Sequence, residues 1–157
     1  MAGGWSALER SLRQAGATHL AGVDEVGRGP LAGPVVVCAV VMPADRRAIG
    51  GVTDSKQLGP ADRERLAVRI RAEAVALSIA AASVAEIARW NIYQATVRAM
   101  ARALARLPLR PDEVLVDGKP IATLGVPHRA IVGGDARCYS IGCASIVAKV
   151  VRDRLMT

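Results

Sequence analysis

Residues 22–37 read GVDEVGRGPLAGPVVV. An apolar approach from residue 20 ends in two adjacent acids, Asp24 and Glu25, and the GRGPLAG that follows has the glycines and proline of a turn. Beyond it, PVVVCAVVM (34–42) is a continuous β-branched run, the pattern of a strand covered on both faces. The stretch therefore divides into two strands of one sheet joined by a glycine-rich turn. Neighbouring strand residues point to opposite faces. For both acids to reach one site the strand must end or bulge at Asp24 and Glu25, which the following VGRG permits; otherwise the acids form an edge pair facing water.

Working outward, residues 42–60 read as loop, and Pro60 stands at the first position of a helix through ADRERLAVRIRAEA, with Leu66, Ile70 and Ala74 on one apolar face. VALSIAAASV (75–84) fits a third strand. Ser83 and Glu86 have capping-box spacing and start a helix through IARWNIYQATVRAMARALARL that stops before Pro108. DEVLVDG (112–118) and HRAIVGG (128–134) read as short strands, and SIGCASIVAKVVRDRLM (140–156) as a final helix. Strands and helices in this arrangement predict an α/β protein, a mixed sheet with helices on both faces.

The 157 residues fit one domain with a substantial core. Apolar residues make up 52%, with no Phe, so that core is aliphatic. The formal charge is +7, from 21 Lys and Arg against 14 Asp and Glu, and the excess is mostly arginine. That balance suits a polyanionic partner, although GC-rich coding produces the same arginine-rich usage. Cys38, Cys138 and Cys143 show no zinc or disulfide spacing and read as small buried residues of a reducing compartment. His19 and His128 read as structural or surface residues. No run reaches the roughly 18 apolar residues that span a bilayer, so the expectation is a cytoplasmic protein with no membrane partner.

Acids recur at strand ends. Asp24 and Glu25 close the first strand, Asp117 closes the fourth, and Asp153 lies in the last helix. Carboxylates beside buried strands are costly unless paired or bound to a cation, so their recurrence points to a metal site. Ser145, Lys149 and Asp153 share one helical stripe, either a phosphate-contacting and metal-contacting face or a solvated ion pair. Gly27, Arg28 and Gly29 bring backbone and a guanidinium close to a ligand, or form an ordinary turn. TDSK (53–56), with Lys56, and the helical stripe of Asn91, Gln94 and Arg98 offer groups for phosphates or sugars; each also reads as a cap or a wet face.

Together and in this order, GVDEVGRGPLAGPVV, DSKQL, NIYQATVRAM, VLVDGKP and GGDARCYSIGCASIVAKVVRDRLM resemble the ribonuclease HII family, over residues 21–156. The resemblance implies a ribonuclease H-like fold with a mixed five-stranded sheet. It implies an endonuclease acting on RNA in RNA/DNA hybrids and at ribonucleotides embedded in duplex DNA, through two Mg²⁺ or Mn²⁺ ions. The family's four acids map onto Asp24, Glu25, Asp117 and Asp153, with Asp24 bridging the ions. Gly27, Arg28 and Gly29 map onto the element that senses the ribose 2′-hydroxyl. Lys56, Asn91, Gln94, Ser145 and Lys149 are candidate contacts to the nucleic-acid backbone. Gly133 stands where the family commonly has lysine, and the tyrosine-bearing segment that usually follows the RDRLM helix is absent after Thr157. The expectation is one catalytic domain over residues 1–157, with 1–18 as an N-terminal extension, acting as a monomer. The competing readings are a hybrid-binding domain of little or no activity and a same-fold nuclease acting on DNA alone, which would have no use for a 2′-hydroxyl reader.

Overall fold

The computed structural model describes residues 4–29, 33–52 and 57–156. Its elements run α1 (Ala7–Gln14), β1 (Leu20–Val26), β2 (Val35–Val41), α2 (Pro60–Glu73), β3 (Ala76–Ala82), α3 (Val84–Arg106), β4 (Glu113–Asp117), β5 (Arg129–Ile131), α4 (Gly134–Arg137) and α5 (Tyr139–Leu155). The strands form one five-stranded sheet in the order β3-β2-β1-β4-β5. The pairs β1–β2 and β2–β3 are antiparallel, whereas β1–β4 and β4–β5 are parallel.

β2 shows why a continuous apolar run was needed. Val35, Val37, Ala39 and Val41 join one core with Ala95, Ala99, Met100 and Ala103 of α3. Val36, Cys38 and Val40 join a second core with Leu66 and Ile70 of α2 and Ile146, Val147 and Val150 of α5. Every residue of the strand is buried, because helices cover both faces. Tyr139 is among the largest fully buried side chains, and its hydroxyl accepts the Ile49 N–H at 2.9 Å, tying the loop after β2 to α5.

Pro60 opens α2, and Ser83 with Glu86 forms a complete capping box at α3, as their spacing predicts. Two expectations change. α3 is not one regular helix: Asn91 has φ 68° and ψ 165°, and its Oδ1 accepts the Gln94 N–H at 2.9 Å. Asn91 thus restarts the helix as a cap and does not lie on a continuous stripe with Gln94 and Arg98. On its β2 side the strand does not bulge at the paired acids, since that ladder continues through Glu25↔Val37 and Val26↔Val36, whereas its pairing with β4 ends at Val23, just before them. Within the N-terminal extension, residues 7–14 form a helix whose Leu12 packs with Leu20, Leu115, Cys138 and Ile141. Among the described residues, no helix is long and apolar enough to cross a membrane.

Candidate active site

β1 and β4 run side by side in the same direction, and their last paired residues are Val23 and Val116. The next residue on each strand is an acid, Asp24 and Asp117. Parallel pairing therefore brings the acids together at the carboxyl ends of two central strands, the usual place for a site in an α/β sheet. Asp117 Oδ1 accepts the Gly134 N–H at 2.6 Å and the Asp135 N–H at 3.4 Å, which seats α4 against β4.

Asp24 is 4% exposed, and its Oδ1 accepts the N–H of Glu25 at 2.8 Å. Burial, with the charges of Glu25, Asp117 and Asp135 added, holds its carboxyl well above the usual carboxylate range. Burial also raises Glu25, while the Arg28 guanidinium, 3.3 Å from Glu25 Oε1, pulls it back down. Among the described residues, Glu25 Oε2 is buried and has no hydrogen-bond partner.

The acids that act on one another are thus Asp24, Glu25, Asp117 and Asp135. Asp153 is placed differently. Its side chain is 46% exposed, with Lys149 Nζ at 3.0 Å and Arg63 at 4.0 Å. It lies next to Arg152, whose Nε donates to the Pro34 carbonyl at 2.9 Å, at the end of α5 beside the turn after β1. Asp135 is the acid that helical periodicity passed over; its signal was the Gly-Asp after β5.

Gly27 has φ 103°, and a Cβ there would lie 2.4 Å from Arg152 Nε and 2.7 Å from the Pro34 carbonyl oxygen, so only glycine serves. A Cβ on Gly29 would meet nothing within 4 Å. Arg28 is exposed and its guanidinium stands 5.9 Å from the Tyr93 ring, itself 45% exposed. Further along α3, Trp90 has Arg98 at 4.1 Å and Arg89 at 5.0 Å from its ring. Sequence reasoning did not single out Tyr93 or Trp90. Ser145 and Lys149 are half-buried on α5, and Gln94 is exposed. Lys56 lies outside the described residues. The three cysteines are free and buried, and burial raises their thiols, that of Cys138 to about 12, so none is a nucleophile. His128 is structural, its ring accepting the Ile121 N–H at 3.1 Å. A groove of 960 Å³ between the end of α3 and the start of β4 holds none of these acids.

Among the described residues, no three acid, histidine or cysteine side chains form a ready-made metal cage. The donor set nevertheless fits a hard divalent cation: all oxygen, mutually repelling, and including a buried carboxylate atom that lacks a hydrogen bond. A cation would stabilise the charged form of Asp24, which burial alone disfavours.

The sheet order, mixed pairing and two helical layers define a ribonuclease H-like α/β fold. Ribonuclease H2 from Pyrococcus horikoshii OT3 superposes with a TM-score of 0.78 at 30% identity, over 88% of this chain and 74% of that one. The sequence profile of the ribonuclease HII family matches residues 21–157, and the chain belongs to that family. Ribonuclease HII from Bacillus thuringiensis (strain Al Hakam) is 48% identical over 151 residues, which is 96% of this chain and 58% of that protein. The corresponding protein of Geobacillus thermodenitrificans (strain NG80-2) is 49% identical over 148 residues, 94% of this chain and 56% of that protein. The chain therefore spans a little over half the length of these relatives.

Proposed function

We propose that this chain carries the catalytic site of a divalent-cation-dependent endonuclease. Its substrates are the RNA strand of RNA/DNA hybrids and duplex DNA with embedded ribonucleotides, cut on the 5′ side of the ribonucleotide to leave 5′-phosphate and 3′-hydroxyl ends. One observation carries this reading: Asp24, Glu25, Asp117 and Asp135 interact at the carboxyl ends of two parallel strands in a chain of the ribonuclease HII family.

Mg²⁺ or Mn²⁺, when bound, supplies an activated water and neutralises charge at the phosphate and the departing oxygen. Asp24, the common neighbour of the other three acids, would be a ligand to the cation. Glu25, Asp117 and Asp135 complete the set. Asp135 takes the place expected of Asp153, which stays with Lys149 and Arg63. Arg28, with backbone groups of Gly27 and Gly29, reads the 2′-hydroxyl that separates RNA from DNA. Tyr93, Trp90, Arg98, Gln94, Ser145 and Lys149 would hold the duplex through stacking and phosphate contacts, without reading sequence. The side-chain oxygen of Asn91 is engaged as a cap, which leaves its amide for the duplex.

The test is cleavage of an end-labelled DNA duplex containing one ribonucleotide, in Mg²⁺, Mn²⁺ and EDTA, with all-DNA duplex as control. Cutting that requires the cation and occurs only 5′ of the ribonucleotide is the expected result. Binding without cutting would reduce the chain to a hybrid-binding domain, and cutting of the control would remove the 2′-hydroxyl reading.

A further inference from the structure

Helix α5 begins without a side-chain cap of its own, because Cys138 supplies none. The first N–H groups of a helix lack partners inside it and, when buried, need acceptors from elsewhere. Here the acceptor comes from 130 residues away. Glu9 is fully buried; its Oε1 accepts the Tyr139 N–H at 2.9 Å, and its Oε2 accepts the Ser140 N–H at 3.0 Å and the Ser140 hydroxyl at 2.5 Å. Oε1 also accepts the Ser6 N–H at 3.0 Å, closing the capping box of α1. One carboxylate thus caps two helices, and its charge suits the positive end of α5.

What rests on that first turn of α5 is the acidic site. A Cβ on Gly22, two residues before Asp24, would lie 2.2 Å from the Ser140 carbonyl carbon. A Cβ on Gly134, whose N–H donates to Asp117, would lie 2.6 Å from Ile141 Cδ1 and 3.3 Å from Asp117 Oδ1. A Cβ on Gly142 would lie 3.0 Å from the Asp135 carbonyl oxygen. Residues 140–142 therefore touch the supports of Asp24, Asp117 and Asp135, through backbone at Gly22 and Gly142 and through the Ile141 side chain at Gly134.

We propose that Glu9 is a positioning residue for the acidic site: by fixing the start of α5 it sets the spacing of Asp24, Asp117 and Asp135, and so the affinity for the divalent cation. The inference rests on the metal-site reading above. It assigns a role to α1, which lies outside the residues matched by the family profile.

The experiment is Mn²⁺ titration of the full chain at 25 °C, followed by the electron paramagnetic resonance signal of free Mn²⁺, with circular dichroism to verify folding. Wild type is compared with Glu9→Gln, Glu9→Ala and Leu107→Ala. Leu107 is a buried core residue at the end of α3, and its truncation destabilises the protein without touching the start of α5. The expected result is that both Glu9 variants bind Mn²⁺ about 10-fold or more weakly, as for loss of a partner that orients a metal ligand, while Leu107→Ala binds as wild type does. Glu9 variants that bind like wild type, or weaken only as much as Leu107→Ala, overturn the proposal. So does a Glu9→Gln chain that fails to fold, which would assign the residue to stability alone. A wild-type chain that binds no Mn²⁺ would instead defeat the metal-site reading.

Discussion

Asp24 shows what the site costs the fold. Its folded pKa is raised, so the native state favours the protonated form. The penalty is absent below the unfolded value of about 3.9, grows as pH rises through the folded value, and is complete above it. Asp24→Asn keeps the acceptor for the Glu25 N–H and removes the charge. In EDTA at pH 7.5 it should raise Tm by about 3 °C, roughly 1 kcal/mol for a chain of this size, while abolishing cleavage. The gain should disappear near pH 4, as thermal scans across pH would show. A second comparison separates the two candidates for the fourth acid. Asp135→Asn should lower kcat by about 100-fold or more, and Asp153→Asn by less than about 10-fold, each read as a free-energy difference in steady-state cleavage. Of these neighbouring acids, Asp24, Glu25 and Asp117 were legible because a charge ending an apolar run is conspicuous. Asp135 was not, because it follows a short strand in a glycine turn, and the regular spacing of Ser145, Lys149 and Asp153 drew attention to a stripe in which Lys149 and Asp153 pair with each other.

At the scale of elements, most of the fold was legible where periodicity and punctuation agreed. The β2 run, Pro60 and the Ser83 capping box all gave the right element with the right start. The break in α3 was not, because the apolar pattern continues on both sides of Asn91. Asn91→Ala loses the cap and places a Cβ-bearing residue without side-chain compensation at φ 68°, so it should cost about 1–2 kcal/mol in urea unfolding. Asn91→Gly, which tolerates that φ, should cost only a few tenths. Equal losses would mean that α3 does not need the break. α1 also escaped the reading, since SALERSLRQ looks like a solvated helix and a fully buried Glu is rare unless paired. Its partners lie too far along the chain for any local pattern to reveal them.

Across the whole molecule, part of the +7 charge is set against aromatic rings: Arg28 beside Tyr93, and Arg89 and Arg98 beside Trp90. Binding of a hybrid duplex, followed by fluorescence anisotropy in EDTA, should weaken steeply between 50 and 200 mM salt, as counterion release requires. Arg98→Ala should lower the slope of log affinity against log salt by about 1; an unchanged slope would place the duplex elsewhere. The Glu9 cap also bears on how the protein is made. Glu9 leaves the ribosome early, yet its acceptor oxygens meet the α5 amides only after residue 140 has emerged, and β1 waits for β4 to pair on its second side. Contacts so distant in sequence close late and slowly. The nascent chain therefore carries Asp24 and Glu25 without their neighbouring acids until β4 and the start of α5 have emerged.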